Sequence, residues 1–408
     1  MFSHNANLYL IATILQGLAA GIWRVIFNLY LNVVGFQPDF ISYMFTASTI
    51  AIGFMALPAG LFCEYIGTKK ALYIGLAAYL LNLIQITVLQ PSILLSASLG
   101  FGLINTLALV ASAPFMIENS RREERAYLFS FQWALFIIMS VIGSYTGGIM
   151  PSLFNTILNL PNGENVSPVG YRITLTLSIV LAIISAIPIL LTKENKLLKK
   201  QNISDLLNLR NIKSQRTILK FMIPAAVIGL GAGFIVPLFN LFFKLKFYAS
   251  DAEVGIIFAL GDIALGIGTI AAPLLVRKLG KVKSVVLCKY LSAPFIMLMA
   301  LVPNLALAGS AYVARITLMN MAYPINSALQ MELVTESERA TTNGLMTMAD
   351  NIPRAITASI SGGMMAVSDF YSPFLATTIT YIMASSVYFV FFRKAEVQIS
   401  RTGSKTAH

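Results

Sequence analysis

Long apolar runs alternate with short polar segments along almost the whole chain. Twelve runs stand out, at 8–34, 39–62, 69–89, 92–116, 126–150, 170–192, 217–243, 253–276, 282–302, 304–330, 341–367 and 371–392. A helix rises about 1.5 Å per residue, so roughly 20 apolar residues cross the hydrocarbon core of a bilayer. Each run therefore predicts one transmembrane helix. Two connections are long. Residues 151–169 are rich in Asn, Pro and Gly and lack Lys and Arg, whereas 193–216 carry Lys193, Lys196, Lys199, Lys200, Arg210, Lys213 and Arg216.

Composition agrees with this pattern. Hydrophobic residues make up 57% of the 408 and charged residues only 11%, against roughly a quarter charged in soluble domains. A water-soluble fold of this length has no core large enough for so much apolar surface. The net charge of +12 lies between the apolar runs, which argues against a nucleic-acid partner and for the positive-inside rule. With both termini and the 193–216 segment in the cytoplasm, that face holds Lys69, Lys70, Arg121, Arg122, Arg125, the central cluster, Arg277, Lys278, Lys281, Lys283, Arg339, Arg393 and Lys394. The outer face holds only Arg172, Lys244 and Lys246. The expectation is a multi-pass, monomeric protein of a plasma or inner membrane, with the bilayer as its main partner.

Several function classes drop out. The two histidines, His4 and His408, stand at the ends of the chain, and the two cysteines, Cys63 and Cys288, fall in different halves. A metal site, a cofactor and a disulfide framework are not expected. The loops are too short for a catalytic domain, and no nucleophile–base–acid set appears, so an enzyme is not expected. The first run is too long for a signal-peptide core.

The two halves repeat. Gly17-Leu18-Ala19-Ala20-Gly21 matches Gly229-Leu230-Gly231-Ala232-Gly233, and Phe27-Asn28-Leu29 matches Phe239-Asn240-Leu241. Glu118, Glu124-Arg125-Ala126 and Gly148 match Glu332, Glu338-Arg339-Ala340 and Gly362. Chance matches would scatter, but these keep a nearly constant offset. The division expected is a six-helix bundle at 1–192, a basic linker at 193–216 and a second bundle at 217–408. Parallel repeats of this kind are a transporter layout.

Two motifs carry a family resemblance. After the second helix the chain reads Gly60-Leu61-Phe62-Cys63-Glu64-Tyr65-Ile66-Gly67-Thr68-Lys69-Lys70. This resembles the signature of the major facilitator transporters: Gly, three residues, an acid, two residues, Gly, then basic residues. Glu64 stands where the family usually has Asp, and Tyr65 replaces a basic residue. The second copy keeps Gly280 and its basic residues but has Arg277 at the acid position. The other motif is an acid, six residues and Arg, at Glu118 and Arg125 and again at Glu332 and Arg339, as in sugar porters. The resemblance implies an all-α membrane fold of twelve transmembrane helices in two pseudo-symmetric six-helix bundles around a central cavity. It also implies a cytoplasmic charge network that holds one state closed; surface decoration is the plainer reading. In the fifth helix, Gly143-Ser144-Tyr145-Thr146-Gly147-Gly148 looks like a degraded form of a stretch in drug:proton antiporters, with Ser144 in place of Pro. Helix packing by small residues explains it equally well.

Ionisable residues inside the membrane are costly unless they face protein or water, so each is a candidate site. These are Arg24, Asp262, Arg315, Asp350 and Arg354. Helices 1, 4, 7 and 10 line the cavity in this architecture, which makes Arg24, Asn28, Asn105, Asn240 and Arg315 the substrate-facing candidates. Asp350 and Arg354 are four apart and can pair with each other. Asp262 either pairs across the cavity or carries a proton. The leading expectation is a secondary transporter working by alternating access, a proton-linked antiporter for efflux of small organic or drug-like molecules. The alternatives are a symporter or facilitator for an organic anion, since arginine recognises carboxylate and phosphate bidentately, and a non-transporting membrane sensor.

Overall fold

The structure is a computed structural model that describes residues 2–121, 123–162, 166–193, 214–335 and 338–393, the side chains of Glu64, Ala126 and Ala340 aside. Residues 194–213 of the expected linker lie outside this set. Among the described residues the chain is helical without strands. The first six spans are α1 (His4–Val33), α2 (Pro38–Ile66), α3 (Thr68–Thr87), α4 (Pro91–Glu118), α5 (Arg125–Ile157) and α6 (Pro168–Leu190). The second six are α7 (Gln215–Phe247), α8 (Asp251–Leu279), α9 (Lys281–Leu301), α10 (Leu305–Leu333), α11 (Arg339–Ala366) and α12 (Ser372–Phe392).

Eleven of these are both long and apolar enough to cross a membrane. The twelfth, α11, has the length, but Asn343, Thr347, Asp350, Asn351 and Arg354 recur along one face of it. That face lines a cavity between the helices, where polar and charged groups are tolerated inside a membrane protein.

The repeat seen in the sequence is also a repeat of packing. In the first half α1 lies against α5 and α6, and α4 against α2 and α3; in the second, α7 lies against α11 and α12, and α10 against α8 and α9. Matching glycines seat the matching pairs. Gly17 and Gly21 receive the α5 backbone around Phe136, Ser140 and Ser144, and Gly229 and Gly233 receive the α11 backbone at Asp350 and Arg354. Small residues let helix backbones approach closely, which drives association where lipid is as apolar as a side chain.

The two bundles meet through α2 with α11 and through α5 with α8. Here too the repeat mates correspond. Gly148 of α5 abuts Gly255 and the Asp251 carbonyl of α8, while Gly362 of α11 abuts Ser42 and the Pro38 carbonyl of α2. The signature glycines act differently. Gly67 (φ 92°) and Gly280 (φ 84°) turn the chain between α2 and α3 and between α8 and α9 in a conformation that side-chain-bearing residues avoid. Helix α8 opens with a capping box, in which Ser250 and Glu253 satisfy each other's backbone donors.

Candidate functional site

A cavity of about 730 Å³ lies between the halves, within the range typical of small-molecule sites. Its walls are unequal. Among the described residues the first half contributes only Trp23, Arg24, Phe27 and Asn28 of α1 and Phe45 of α2; the rest comes from the second half. Residues near the 214 end of the second half, such as Phe221, Gln330 and Asn343, line it. The cavity therefore runs from mid-span toward the end of the molecule where the two halves are joined, called here the linker end.

Arg24 and Asp262 form its roof. Arg24 Nη1 donates to Asp262 Oδ1 at 3.1 Å and Nη2 to Oδ2 at 2.5 Å. Ser140 Oγ donates to the same carboxylate at 3.1 Å, and Ser144 Oγ accepts from Arg24 at 3.0 Å. This bidentate pair joins α1 of one half to α8 of the other, with α5 bracing it. The Asp262 side chain is 6% exposed and that of Arg24 39%. Arg24 lines the cavity, so its free surface opens onto that space. Its guanidinium also rests on the Phe258 ring, 5.2 Å from the centroid.

Beside this pair, Asn28 and Asn240, which also line the cavity, lace α1 to α7. Asn28 Nδ2 donates to Pro237 O (2.8 Å) and to Asn240 Oδ1 (3.0 Å), and Asn240 Nδ2 donates to Val25 O (2.9 Å). The cause is local. Pro237 interrupts α7 with a short 3₁₀ turn, Val236–Leu238. Asn240 Oδ1 accepts from Leu241 N, so both groups of the backbone bond that would cross the break, Leu241 N and Pro237 O, have side-chain partners. Further out, Tyr171 of α6 donates to Asp251 at the start of α8. Lys244 pairs with the other Asp251 oxygen at 2.8 Å. The halves thus close at the end opposite the linker end.

The second-half wall holds the remaining charges. Arg315, 3% exposed, donates to Tyr381 OH at 2.7 Å and stands over the Phe239 and Tyr381 rings. Asp350 and Arg354 pair at 2.6 Å. Lys289 on α9 lies over the Tyr388 ring, 5.1 Å from its centroid. The sequence reading passed over Lys289, although its criterion of charge inside an apolar run applies to it. Ser140, Ser144 and Tyr381 carried no comparable signal, because small or aromatic residues in apolar runs most often pack.

One expected cavity residue is elsewhere. Asn105 of α4 does not line the cavity. Gly102 brings α4 onto Ser48 and Ala51 of α2, and Gly75 of α3 fits against Ala108. The resulting packing leaves Asn105 off the cavity wall. The glycine-rich stretch of α5 acts in packing: Gly143 abuts Leu18 and Gly147 abuts Ile22.

At the linker end the motif residues hold helix ends within each half. Thr68 Oγ1 donates to Glu118 at 2.6 Å, and its repeat mate Lys281 pairs with Glu332. Arg125 donates to Ile117 O (3.3 Å) and Arg339 to Met331 O (3.1 Å). Each arginine so meets a carbonyl in the last turn of α4 or α10, where helix carbonyls lack intrahelical partners. Lys69 donates to Thr192 O at 2.6 Å. Gly60 sits beside Val110 of α4, and Lys70 and Arg277 are exposed. The Glu64 side chain lies outside the described set.

A bacterial homologue of the human lysosomal transporter Spinster, in an inward-facing, unoccupied conformation, superposes with a TM-score of 0.74 at 13% identity, covering 96% of this chain and 97% of that one. The nucleoside transporter NupG gives 0.71 at 13%, covering 95% and 98%. A D-xylose–proton symporter gives 0.73 at 11%, covering 95% and 97%. No functionally curated protein matches the chain in sequence. The sequence profile of the Major Facilitator Superfamily matches residues 9–321 and again 221–407. The chain is a multi-pass integral membrane protein and belongs to the Major Facilitator Superfamily.

Proposed function

We propose that this protein is a secondary transporter that carries a small organic anion by alternating access. The observation behind the substrate class is the charge of the cavity. Among the described residues, Arg24, Lys289, Arg315 and Arg354 stand against only two carboxylates, Asp262 and Asp350. Unbalanced cations in a membrane interior are costly unless an anion joins them. This favours the organic-anion alternative over drug-like efflux, whose local support in α5 is accounted for by packing. The basic residues at the linker end orient it to the cytoplasm, so the cavity faces inward. Transport then requires the closed outer end, held by Arg24–Asp262, Asn28–Asn240 and Tyr171–Asp251, to part while the linker end closes. The motif charges at Glu118, Arg125, Glu332 and Arg339 hold the helix ends that meet in that second state.

A second reading concerns coupling. Protonation of Asp262 removes the charge that holds Arg24 and frees the roof, which links proton entry to opening. In this reading Asp262→Asn abolishes accumulation driven by a pH step and leaves exchange down a gradient. Normal proton-driven accumulation in that variant rules it out.

The test of function is counterflow in vesicles containing the purified protein. Labelled organic anions are expected to exchange against unlabelled anion, with Arg315→Gln impaired more than Arg315→Lys. Exchange confined to neutral or cationic solutes overturns the assignment.

A further inference from the structure

We infer that the solute is an elongated organic dianion whose two anionic groups are held apart, one by Arg315 and the other by Lys289. The inference rests on the reading of this cavity as the transport site and names what occupies it.

Among the described residues neither cation has a carboxylate at ion-pair distance; Asp350, already paired with Arg354, acts on Lys289 only through space. Lys289 is 7% exposed and Arg315 3%. Arg24 has Asp262, and Arg354 has Asp350. The Arg315 guanidinium reaches only a phenol, Tyr381 OH, and its buried Nε makes no hydrogen bond. Lys289 has the Tyr388 ring beneath it. A ring face favours a cation but leaves its charge uncancelled. Counting the wall and roof together, the excess is two positive charges, so two negative charges complete the site.

The spacing decides between one doubly charged group and two singly charged ones. Tyr381 and Tyr388 are seven residues apart on α12, two turns on one helix face, or about 10 Å along the axis. Each cation lies close to its ring, with Lys289 Nζ 5.1 Å and Arg315 Cζ 5.6 Å from the centroids. The two charges therefore sit beside rings that are two turns apart on α12. One phosphate or sulfonate cannot touch both, whereas an extended chain with a carboxylate at each end can. The wall toward the open end adds neutral donors. Asn320, Asn326, Ser327, Gln330 and Asn343 line it, and among the described residues their side chains make no hydrogen bond to protein. The Asn326 Oδ1 is buried without a partner.

The experiment measures binding, by thermal shift and titration calorimetry, to the purified full-length protein. The probes are α,ω-dicarboxylates of increasing chain length, monocarboxylates of matched length, and phosphate monoesters. One dicarboxylate length is expected to bind best, about tenfold tighter than its matched monocarboxylate. Lys289→Met and Arg315→Gln are each expected to erase that advantage. Equal binding of mono- and dicarboxylates overturns the inference. So does tightest binding of a phosphate monoester, or affinity that does not depend on chain length. The wild-type series alone decides these outcomes if a variant fails to fold. Counterflow of the same compounds separates the two claims: a dicarboxylate that binds but is never exchanged sinks the transport reading alone. Exchange of monoanions with no gain from the second charge sinks the dianion alone.

Discussion

Replacing Arg24 by Met is expected to open the end of the protein opposite the linker end, the outer end in the proposed orientation. The substitution leaves the Asp262 carboxylate, 6% exposed, with Ser140 as its remaining donor from the roof. Stranding a buried carboxylate in this way costs about 3–5 kcal/mol. The partner it loses is 39% exposed to the cavity, and solvent there screens part of the pair. About 2 kcal/mol is the fitting figure after that discount. In the outward-open state the halves separate at α1 and α8 and the carboxylate reaches water, so the penalty falls on the closed form alone. A difference of that size moves the ratio of the two states roughly 30-fold. Spin labels at Gln37 and Tyr248, exposed residues in the α1–α2 and α7–α8 turns, report the separation as a distance distribution. The decisive comparison is the double variant. Adding Asp262→Asn to Arg24→Met removes the stranded charge and should return the distribution most of the way to wild type. If the double variant is as open as the sum of the single effects, or if Arg24→Met changes nothing, the pair is not what holds the roof.

Other expectations follow from the same packing. Gly148→Leu puts a side chain where Gly255 and the Asp251 carbonyl of α8 already lie and should wedge the outer end apart. Its repeat mate Gly362→Leu should do the same against Ser42 and Pro38 of α2. Greater labelling of single cysteines introduced at the outer end checks both, and unchanged labelling contradicts the seating. Tyr171→Phe removes the donor to Asp251; a hydrogen bond to a charged group contributes about 1.5–3 kcal/mol, so the outer end should open more often, read by the same labels. Asp369, between α11 and α12, accepts from the backbone of Tyr371 and Ser372. The Ser372 bonds hold its carboxyl below the ordinary range. Its stabilisation is therefore complete above the unfolded carboxylate pKa and lost as pH falls through the depressed folded value. The melting difference between wild type and Asp369→Ala should shrink in that acid window, and a constant difference refutes the contribution of these hydrogen bonds.

The membrane fold was legible because lipid imposes a coarse, local rule. Any stretch of about 20 apolar residues must become a helix there, and neither tertiary contact nor partner changes that. The duplication was legible for a related reason: Gly17 and Gly229, Gly148 and Gly362 each serve a backbone contact that only a very small residue permits, so the same letter recurs in both halves. Arg24, Asn28, Asn240 and Arg315 were found by their cost, since charge and amide in an apolar run need a reason. What each one touches was a different matter. Nothing along the chain tells that Asp262 meets Arg24, 238 positions away, rather than Arg315, or that Asp350 keeps Arg354 for itself. Asn105 looked equal to Asn28, yet packing of α4 on α2 and α3 leaves it off the wall. Hydropathy and spacing fix which segments enter the membrane and which residues are expensive there. Only the folding of twelve helices against one another decides which of those residues share a cavity, which neutralise each other, and which two cations are left to meet a solute.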